Sequence, residues 1–452
     1  MEYTSLISVV PPLELAYCAA LVRRDLPGAE VSIIDANVEG LGEEEHARRI
    51  RDASPDLVVF WAATFSINAV RRLVASLEDL DTFVALTGPH GTALPSEVME
   101  EIPGLDVVIR GEPEHTVLEL ARAREADASL AEVKGLHYRD RDAVHQTGER
   151  VDIGALDSLP FPARDLLPNH LYSSPYSYRV TALRTTRGCP GKCRFCDSHL
   201  LVGHRMRTRD AVLVVDEIEG CVKAWGTDYF AIVDHTFTGK RSFVVAVCEE
   251  IIRRGLHRRI RWVCNTRVDM LNDEMLTLMR RSGCLQIGIG IESGDNARLS
   301  EVKKGITEDQ IRDAIRRIKR HGIIVMGYTI IGFPTDTAER IARTRDRILE
   351  FDPHTLQLSF ATPLPGTDLR EDCLKEDRIL SDDWDDYVFL RKSIIRNDTQ
   401  SQAELEGLRR NVVKKFYLRP GKLFQLGWFL AVRARPSYRA VLRASWKVLR
   451  NM

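Results

Sequence analysis

The sequence predicts an α/β protein in three parts: an open parallel sheet, a six-fold strand–helix repeat and a helical tail. Two patterns predict the first two parts. Short apolar strands alternate with segments of helical period through the amino-terminal quarter, and the same alternation resumes after a proline-rich break. The third observation is compositional. Of the 452 residues, 44% are hydrophobic and 29% charged, enough apolar material for two or three packed units.

Residues 1–125 hold the first unit. Its strands read Glu30–Asp35, Leu57–Trp61, Phe83–Leu86 and Val107–Ile109, and Glu43–Ser54 and Ile67–Leu80 carry helical periodicity. Such alternation builds a Rossmann-like parallel sheet with helices on both faces, and its ligands sit beyond the carboxyl ends of the strands. Three segments fall there: Ala62–Ser66, Thr87–Thr92 and Arg110–Glu114. Residues 126–178 read as a connector, with a hairpin of Val133–Tyr138 and Ala143–Thr147 across Arg139–Asp142. Leu159-Pro160-Phe161-Pro162 then makes a semi-stiff strap.

Residues 179–363 repeat strand then helix. The strands are Arg179–Thr186, Tyr229–Asp234, Arg261–Asn265, Cys284–Ile291, Ile323–Ile331 and Thr355–Thr362, with helices beginning near Asp210, Arg241, Asn272, Thr307 and Asp336. Asn272-Asp273-Glu274 and Thr307-x-x-Gln310 suit helix N-termini. Residues 364–452 read as a helical tail, in which Asn411–Met452 holds ten Lys or Arg and no Asp or Glu. Phe416, Tyr417, Leu423, Phe424, Leu426, Trp428 and Phe429 suit one apolar helix face, either a cap on the barrel or a basic surface for membranes or anionic partners.

The formal net charge of −1 gives no global field for nucleic acid. No basic leader with a long apolar stretch opens the chain, and no apolar run approaches a membrane span of about 18 residues. Nine cysteines without a dense disulfide framework point to the reducing cytoplasm.

The chemistry concentrates in Arg187–Ser198, where Cys189, Cys193 and Cys196 stand as Cys-x3-Cys-x2-Cys. Three thiolates at this spacing suit three irons of a [4Fe–4S] cluster and leave the fourth iron open. Zinc is the weaker alternative: it asks for a fourth Cys or His at ordinary spacing, and Cys221, Cys248, Cys264, Cys284 and Cys373 are scattered singly. His199 and His204 read as loop or substrate-side residues, since a closed cluster loses its open iron.

This loop, with Phe195 just before its last cysteine, resembles the signature of the radical S-adenosylmethionine (radical SAM) enzymes. The resemblance implies that the six strand–helix units form a partial (β/α)6 barrel of TIM type, with the cysteine loop at its carboxyl-terminal mouth. It also implies a [4Fe–4S] cluster, S-adenosylmethionine as the molecule on the open iron, and reductive cleavage to a 5′-deoxyadenosyl radical. Gly288-Ile289-Gly290-Ile291-Glu292-Ser293 is similar to the family segment that contacts S-adenosylmethionine, which assigns Glu292 and Ser293 to it. Asp234 would hold the methionyl amino group or face substrate, Arg267 a carboxylate, and Phe195 the cofactor pocket. Gly332-Phe333-Pro334 and Thr362–Thr367 look like further family turns.

The first unit resembles the cobalamin-binding domain that precedes the barrel in one class of the family. Pro11–Tyr17 looks like its first helix, and Gly88-Pro89-His90 and Gly111-Glu112-Pro113-Glu114 like its ligand loops. Only ten residues precede Pro11, Thr87 stands where a glycine is usual, and there is no Asp-x-His-x-x-Gly run. The expectation is a cobalamin-type fold that binds no cobalamin. Within the family the chain resembles the radical diol dehydratases of apramycin biosynthesis. That implies dehydration and deoxygenation of an aminoglycoside such as paromamine, with Asp197, Asp234, His235 and His199 as candidate acids and bases. The implied partners are the small-molecule substrate, an external electron donor of flavodoxin or ferredoxin type, and a separate reductase. Two other readings stay open: a cobalamin-dependent methyltransferase, and a non-catalytic iron–sulfur scaffold.

Overall fold

The computed structural model describes residues 9–425 except 142, 175, 176, 178, 423 and 424. The first sheet runs β1 (Leu57–Trp61), β2 (Phe83–Thr87), β3 (Val107–Ile109), β4 (Leu136–Asp140) and β5 (Ala143–Gln146), in that spatial order. Strands β1–β3 are parallel. The hairpin β4–β5 adds antiparallel onto β3, so it extends the first sheet rather than standing in a separate connector.

The expected strand Glu30–Asp35 pairs with nothing among the described residues and runs extended into a short helix, Ala36–Glu39, capped by Asp35. A strand needs a hydrogen-bonded neighbour as well as the right residues, and alternation alone does not supply one.

The second sheet has six parallel strands: β6 (Val180–Leu183), β9 (Tyr229–Ile232), β10 (Arg261–Thr266), β11 (Cys284–Glu292), β12 (Ile324–Ile331) and β13 (Thr355–Phe360). They lie in chain order, each beside the next, as a right-handed strand–helix repeat requires. Between β6 and β9, a two-residue antiparallel ladder joins β7 (Thr186–Arg187) to β8 (Arg207–Thr208). The largest core lies between these strands and their outer helices, where Phe230, Trp262, Ile287, Ile289 and Ile315 interlock.

The caps follow the sequence at Asp210, Asn272 and Thr307, the last as a full capping box with Gln310. At the fifth helix the cap is Thr337. Asp336 instead accepts the Gly332 and Phe333 amides and pairs with Arg298 at 2.6 Å, so it holds the strand-end turn.

After β13, α-helices among the described residues span Asp368–Lys375 and Gln402–Tyr417. Between them an irregular strap crosses to the first unit, where Trp384 meets His90 edge-on at 4.7 Å and joins Tyr387 and Ile394 in its core. The helical tail expected from the sequence is present, and the strap between its helices uses aromatic side chains to fill a gap against the first unit. Of the expected apolar face, Phe416 and Tyr417 are described and pack on Leu356 and Phe360. Leu423, Phe424, Leu426, Trp428 and Phe429 lie outside the described residues. No described helix is long and apolar enough to cross a membrane.

Candidate active site

The three cysteines sit in the loop that leaves β7 and returns at β8, at the carboxyl mouth of the barrel. A side chain on Gly191 would place its Cβ 3.4 Å from Cys189 Sγ and 3.7 Å from Cys193 Sγ, so both thiols face one small space. Cys189 Sγ lies 3.3 Å from Thr236 Oγ1, and Cys196 donates to Ser198 Oγ at 3.2 Å. All three are half-buried, whereas the other six cysteines are buried among apolar side chains. Burial raises the Cys193 thiol above its ordinary value and the Cys196 thiol to about 11. Near Cys193 the cations Lys304 and Arg267 act against that rise. Among the described residues no three Cys, His, Asp or Glu side chains converge on a single-ion position.

Glu292 is placed by two backbone features. The pairing of β11 with β12 slips between Gly290 and Glu292, and Glu292 takes φ +60°. Bulges and left-handed conformations re-aim side chains at strand ends. The carboxylate is buried and accepts from Lys304 Nζ at 2.6 Å through Oε1. Burial alone would lower Lys304, and Glu292 outweighs it and holds the ammonium charged. A Cβ on Gly290 would come 2.2 Å from Glu292 Oε1 and 2.4 Å from Lys304 Nζ, so only glycine leaves room for the pair. Arg267 Nη2 donates to Lys304 O at 2.8 Å and the guanidinium pairs with Asp269, so one face braces the Lys304 turn while Nη1 reaches toward the cysteine loop.

Other expected residues take different places. Both oxygens of Asp234 are spent on Thr185, accepting its amide at 2.7 Å and its hydroxyl at 2.5 Å. It ties β9 to β6 from a buried position, and that burial raises its carboxyl. Ser293 exchanges a 3.1 Å hydroxyl bond with Thr344 on the helix Ala338–Phe351, and so faces away from the cysteine loop. Phe195 lies 6.3 Å from Phe333 in an apolar cluster under the loop, which anchors it. His199 and His204 stack at 5.3 Å and donate Nδ1–H to the carbonyls of Cys196 and Cys189. These bonds tie both rings to the backbone of the cysteine loop, His199 from the short helix Ser198–Val202. Asp197 is half-buried, which raises its carboxyl. His235 is exposed at the end of β9, where the protein surrounding the mouth and then the Arg184 charge lower its pKa to about 4. Arg184 pairs with Glu14 from the first unit's opening helix, Leu13–Asp25.

Lys304, Thr185 and the ion pairs of Glu112 and Glu114 were not singled out from the sequence. The only signal for Lys304 is a basic pair, Lys303-Lys304, ahead of the Thr307 cap. The Gly111–Glu114 turn, read as a ligand loop, instead directs both carboxylates onto Arg187 and Arg207.

A cluster held by three thiols keeps one iron for a ligand, and the buried Glu292–Lys304 pair offers that ligand an anion and a cation at the same mouth. Comparison with known proteins agrees. Residues 183–348 match the radical SAM superfamily and residues 4–121 the B12 binding domain. An uncharacterized methyltransferase of Pyrococcus horikoshii is 32% identical over 418 residues, 92% of this chain and 89% of that one. The anaerobic magnesium-protoporphyrin IX monomethyl ester cyclase of Cereibacter sphaeroides is 31% identical over 428 residues, 92% of this chain and 68% of that one. Among solved structures, the radical S-adenosylmethionine methyltransferase TsrM of Kitasatospora setae, with cobalamin and a [4Fe–4S] cluster bound, shares the fold. Its TM-score is 0.70 at 18% identity, over 81% of this chain and 76% of that one. The chain belongs to the radical SAM superfamily, in the class with a B12-binding domain ahead of the barrel. Its cofactors are therefore a [4Fe–4S] cluster, for which Cys189, Cys193 and Cys196 are the fitting ligands, and S-adenosylmethionine.

The expectation that no cobalamin binds is opposed by the match to the B12 binding domain, which begins at residue 4 and takes in residues 4–10 ahead of Pro11. The Thr87 side chain is fully buried. Its hydroxyl has no partner there. Beyond the strand ends of that sheet Gly111, at φ +70°, leaves open space where a Cβ would lie, and Phe65, in the turn after β1, is 46% exposed.

Proposed function

We propose that this protein is a cobalamin-dependent radical SAM methyltransferase acting on a small polar molecule. One observation carries the reading: the carboxyl-end loops of the first sheet and the cysteine loop of the barrel meet at one mouth. Glu14–Arg184 and Glu112–Arg187 join the two units there. Transfer between a group held in the first unit and a substrate in the barrel needs these two strand ends face to face. When bound, the cluster would supply an electron to S-adenosylmethionine and the corrinoid would supply a methyl carrier.

The chain's own residues divide the remaining work. Cys189, Cys193 and Cys196 hold the irons. Glu292 and Lys304 orient the amino-acid or ribose end of S-adenosylmethionine. The barrel interior offers Asn265, which accepts from Tyr328 Oη at 3.0 Å, beside Gly288, whose missing side chain keeps that bond in place. His235, neutral at pH 7, stands at the mouth as a hydrogen-bonding group for substrate.

The aminoglycoside dehydration implied by the resemblance is the second reading. It needs a general acid and base, for which His235 and Asp197 fit better than the fully engaged Asp234. The named methyltransferase relative favours methyl transfer. An external one-electron donor and a cytoplasmic setting belong to either reading.

The test is anaerobic reconstitution with iron, sulfide and hydroxocobalamin, then incubation with methyl-deuterated S-adenosylmethionine and candidate substrates. Corrinoid retained after desalting, with deuterated methyl in product and S-adenosylhomocysteine formed, supports the proposal. Formation of 5′-deoxyadenosine with loss of water from an aminoglycoside, and no corrinoid dependence, moves dehydration to first place.

A further inference from the structure

The cysteine loop is a closed excursion with a narrow neck. Arg187 and Arg207 are direct partners in the two-residue ladder that closes it. Inside the neck, Cys189 N–H donates to Gly203 O at 3.2 Å. Gly188, at φ +98°, passes so near the returning strand that a Cβ would lie 2.1 Å from Arg205 O.

Both neck arginines turn away from the cysteines and into the first unit. Arg187 donates to Glu114 through both of its terminal nitrogens. Its Nη1 also lies 3.0 Å from Glu112 Oε1, an ion-pair contact without hydrogen-bond geometry. Arg207 Nη1 donates at 2.8 Å to Glu112 Oε2 and at 2.8 Å to Ile153 O. All four side chains are at most 7% exposed. The same Glu112 oxygen accepts the Ile153 amide at 2.6 Å. Two arginines, two carboxylates and a backbone turn thus form a nearly neutral, dry cluster with planar groups matched to carboxylates.

We infer that Glu112 and Glu114 are a latch by which the B12-binding domain holds the neck of the cluster loop shut, with Arg187 and Arg207 as positioning residues. The acidic turn follows β3 at the ligand end of the first sheet, and the neck leads directly to the first cluster ligand. The latch therefore fixes the spacing of the thiols before any iron arrives and makes that spacing depend on the other domain. A merely stabilising ion-pair cluster would add to the unfolding free energy of the chain without singling out these thiols.

The experiment reads the thiols of the iron-free, reduced protein. A short anaerobic pulse of iodoacetamide, followed by peptide mass mapping, gives a labelling rate for each cysteine. Glu112→Gln and Arg187→Lys are compared with wild type and with Leu77→Ala, which empties core volume in the first unit far from the neck. In both latch variants, labelling of Cys189 and Cys193 is expected to rise about fivefold or more, while Cys284 stays protected, as for opening of one local segment. Leu77→Ala, at a similar loss of melting temperature, leaves the loop thiols within about twofold of wild type. Iron content after reconstitution should fall in the latch variants in the same order. Unchanged loop labelling in folded latch variants, or an equal rise in Leu77→Ala, overturns the latch.

Discussion

The turn after β3, Gly111-Glu112-Pro113-Glu114, and the end of β11, Gly290-Ile291-Glu292, each put a buried glutamate beside a glycine at the carboxyl end of a parallel strand. In the first, both carboxylates are taken up by two arginines and a backbone amide from other segments. In the second, one ammonium takes one oxygen, and a bulge turns the pair toward the cysteine loop. In the first cluster every carboxylate oxygen already faces an arginine nitrogen, which makes it joinery. A carboxylate with one ammonium partner, beside a glycine that no other residue can replace, is the better candidate for a ligand. Position at a strand end is therefore a weaker guide to ligand binding than the number of protein groups already bonded there.

The sharpest check on where the chemistry lies is all-or-none. Cys189→Ala, Cys193→Ala or Cys196→Ala should each abolish retention of a full cluster after desalting. Cys264→Ala and Cys284→Ala, buried in the strands, should keep it, as measured by iron content and absorbance.

The next test separates the two glutamates. Glu112→Gln leaves two buried arginines under-paired and should cost about 3–5 kcal/mol in denaturant unfolding. Burial raises the Glu112 carboxyl, and Arg187 and Arg207 outweigh it and lower it. Its contribution is therefore fully present above the unfolded carboxyl value and lost as pH falls through the lowered one. Wild type should lose stability there more steeply than Glu112→Gln.

His90, pressed under Trp384 in the first unit, has its pKa lowered by burial to about 4. The unfolded chain binds that proton at higher pH than the folded one. Stability should thus be full above about pH 6.5 and fall by up to about 3 kcal/mol toward pH 4. His90→Gln should flatten this slope in a pH series of unfolding curves; an unchanged slope refutes the assignment.

Glu292→Gln should weaken S-adenosylmethionine binding by about 1–3 kcal/mol in anaerobic titration of the cluster-loaded protein. If Glu112→Gln weakened it as much in folded protein, the contrast between the two turns would fail. The smallest effect is reserved for Ser293→Ala. Loss of its bond to Thr344 should cost about 1 kcal/mol of stability and leave S-adenosylmethionine affinity within about twofold. A larger affinity loss would return Ser293 to the ligand role that the strand motif suggests.

The sequence by itself determined the architecture and the candidate cluster loop. Strand–helix alternation placed nine of the ten predicted parallel strands, because a two-residue period with turn residues at each end is local information. The thiol spacing in residues 189–196 marked three candidate iron ligands because they lie within one loop. The Asn272 and Thr307 caps were legible for the same reason. Tertiary structure alone decided the rest. Whether Glu30–Asp35 is a strand depends on a neighbour. Which way Ser293 and Glu292 point depends on a bulge set by pairing with β12. Whether Asp234, Glu112 and Glu114 are free for ligands depends on Thr185, Arg187 and Arg207, 49 to 95 residues away in the chain. A carboxylate's role is fixed by how many donors surround it, and those donors come from segments that only folding brings together.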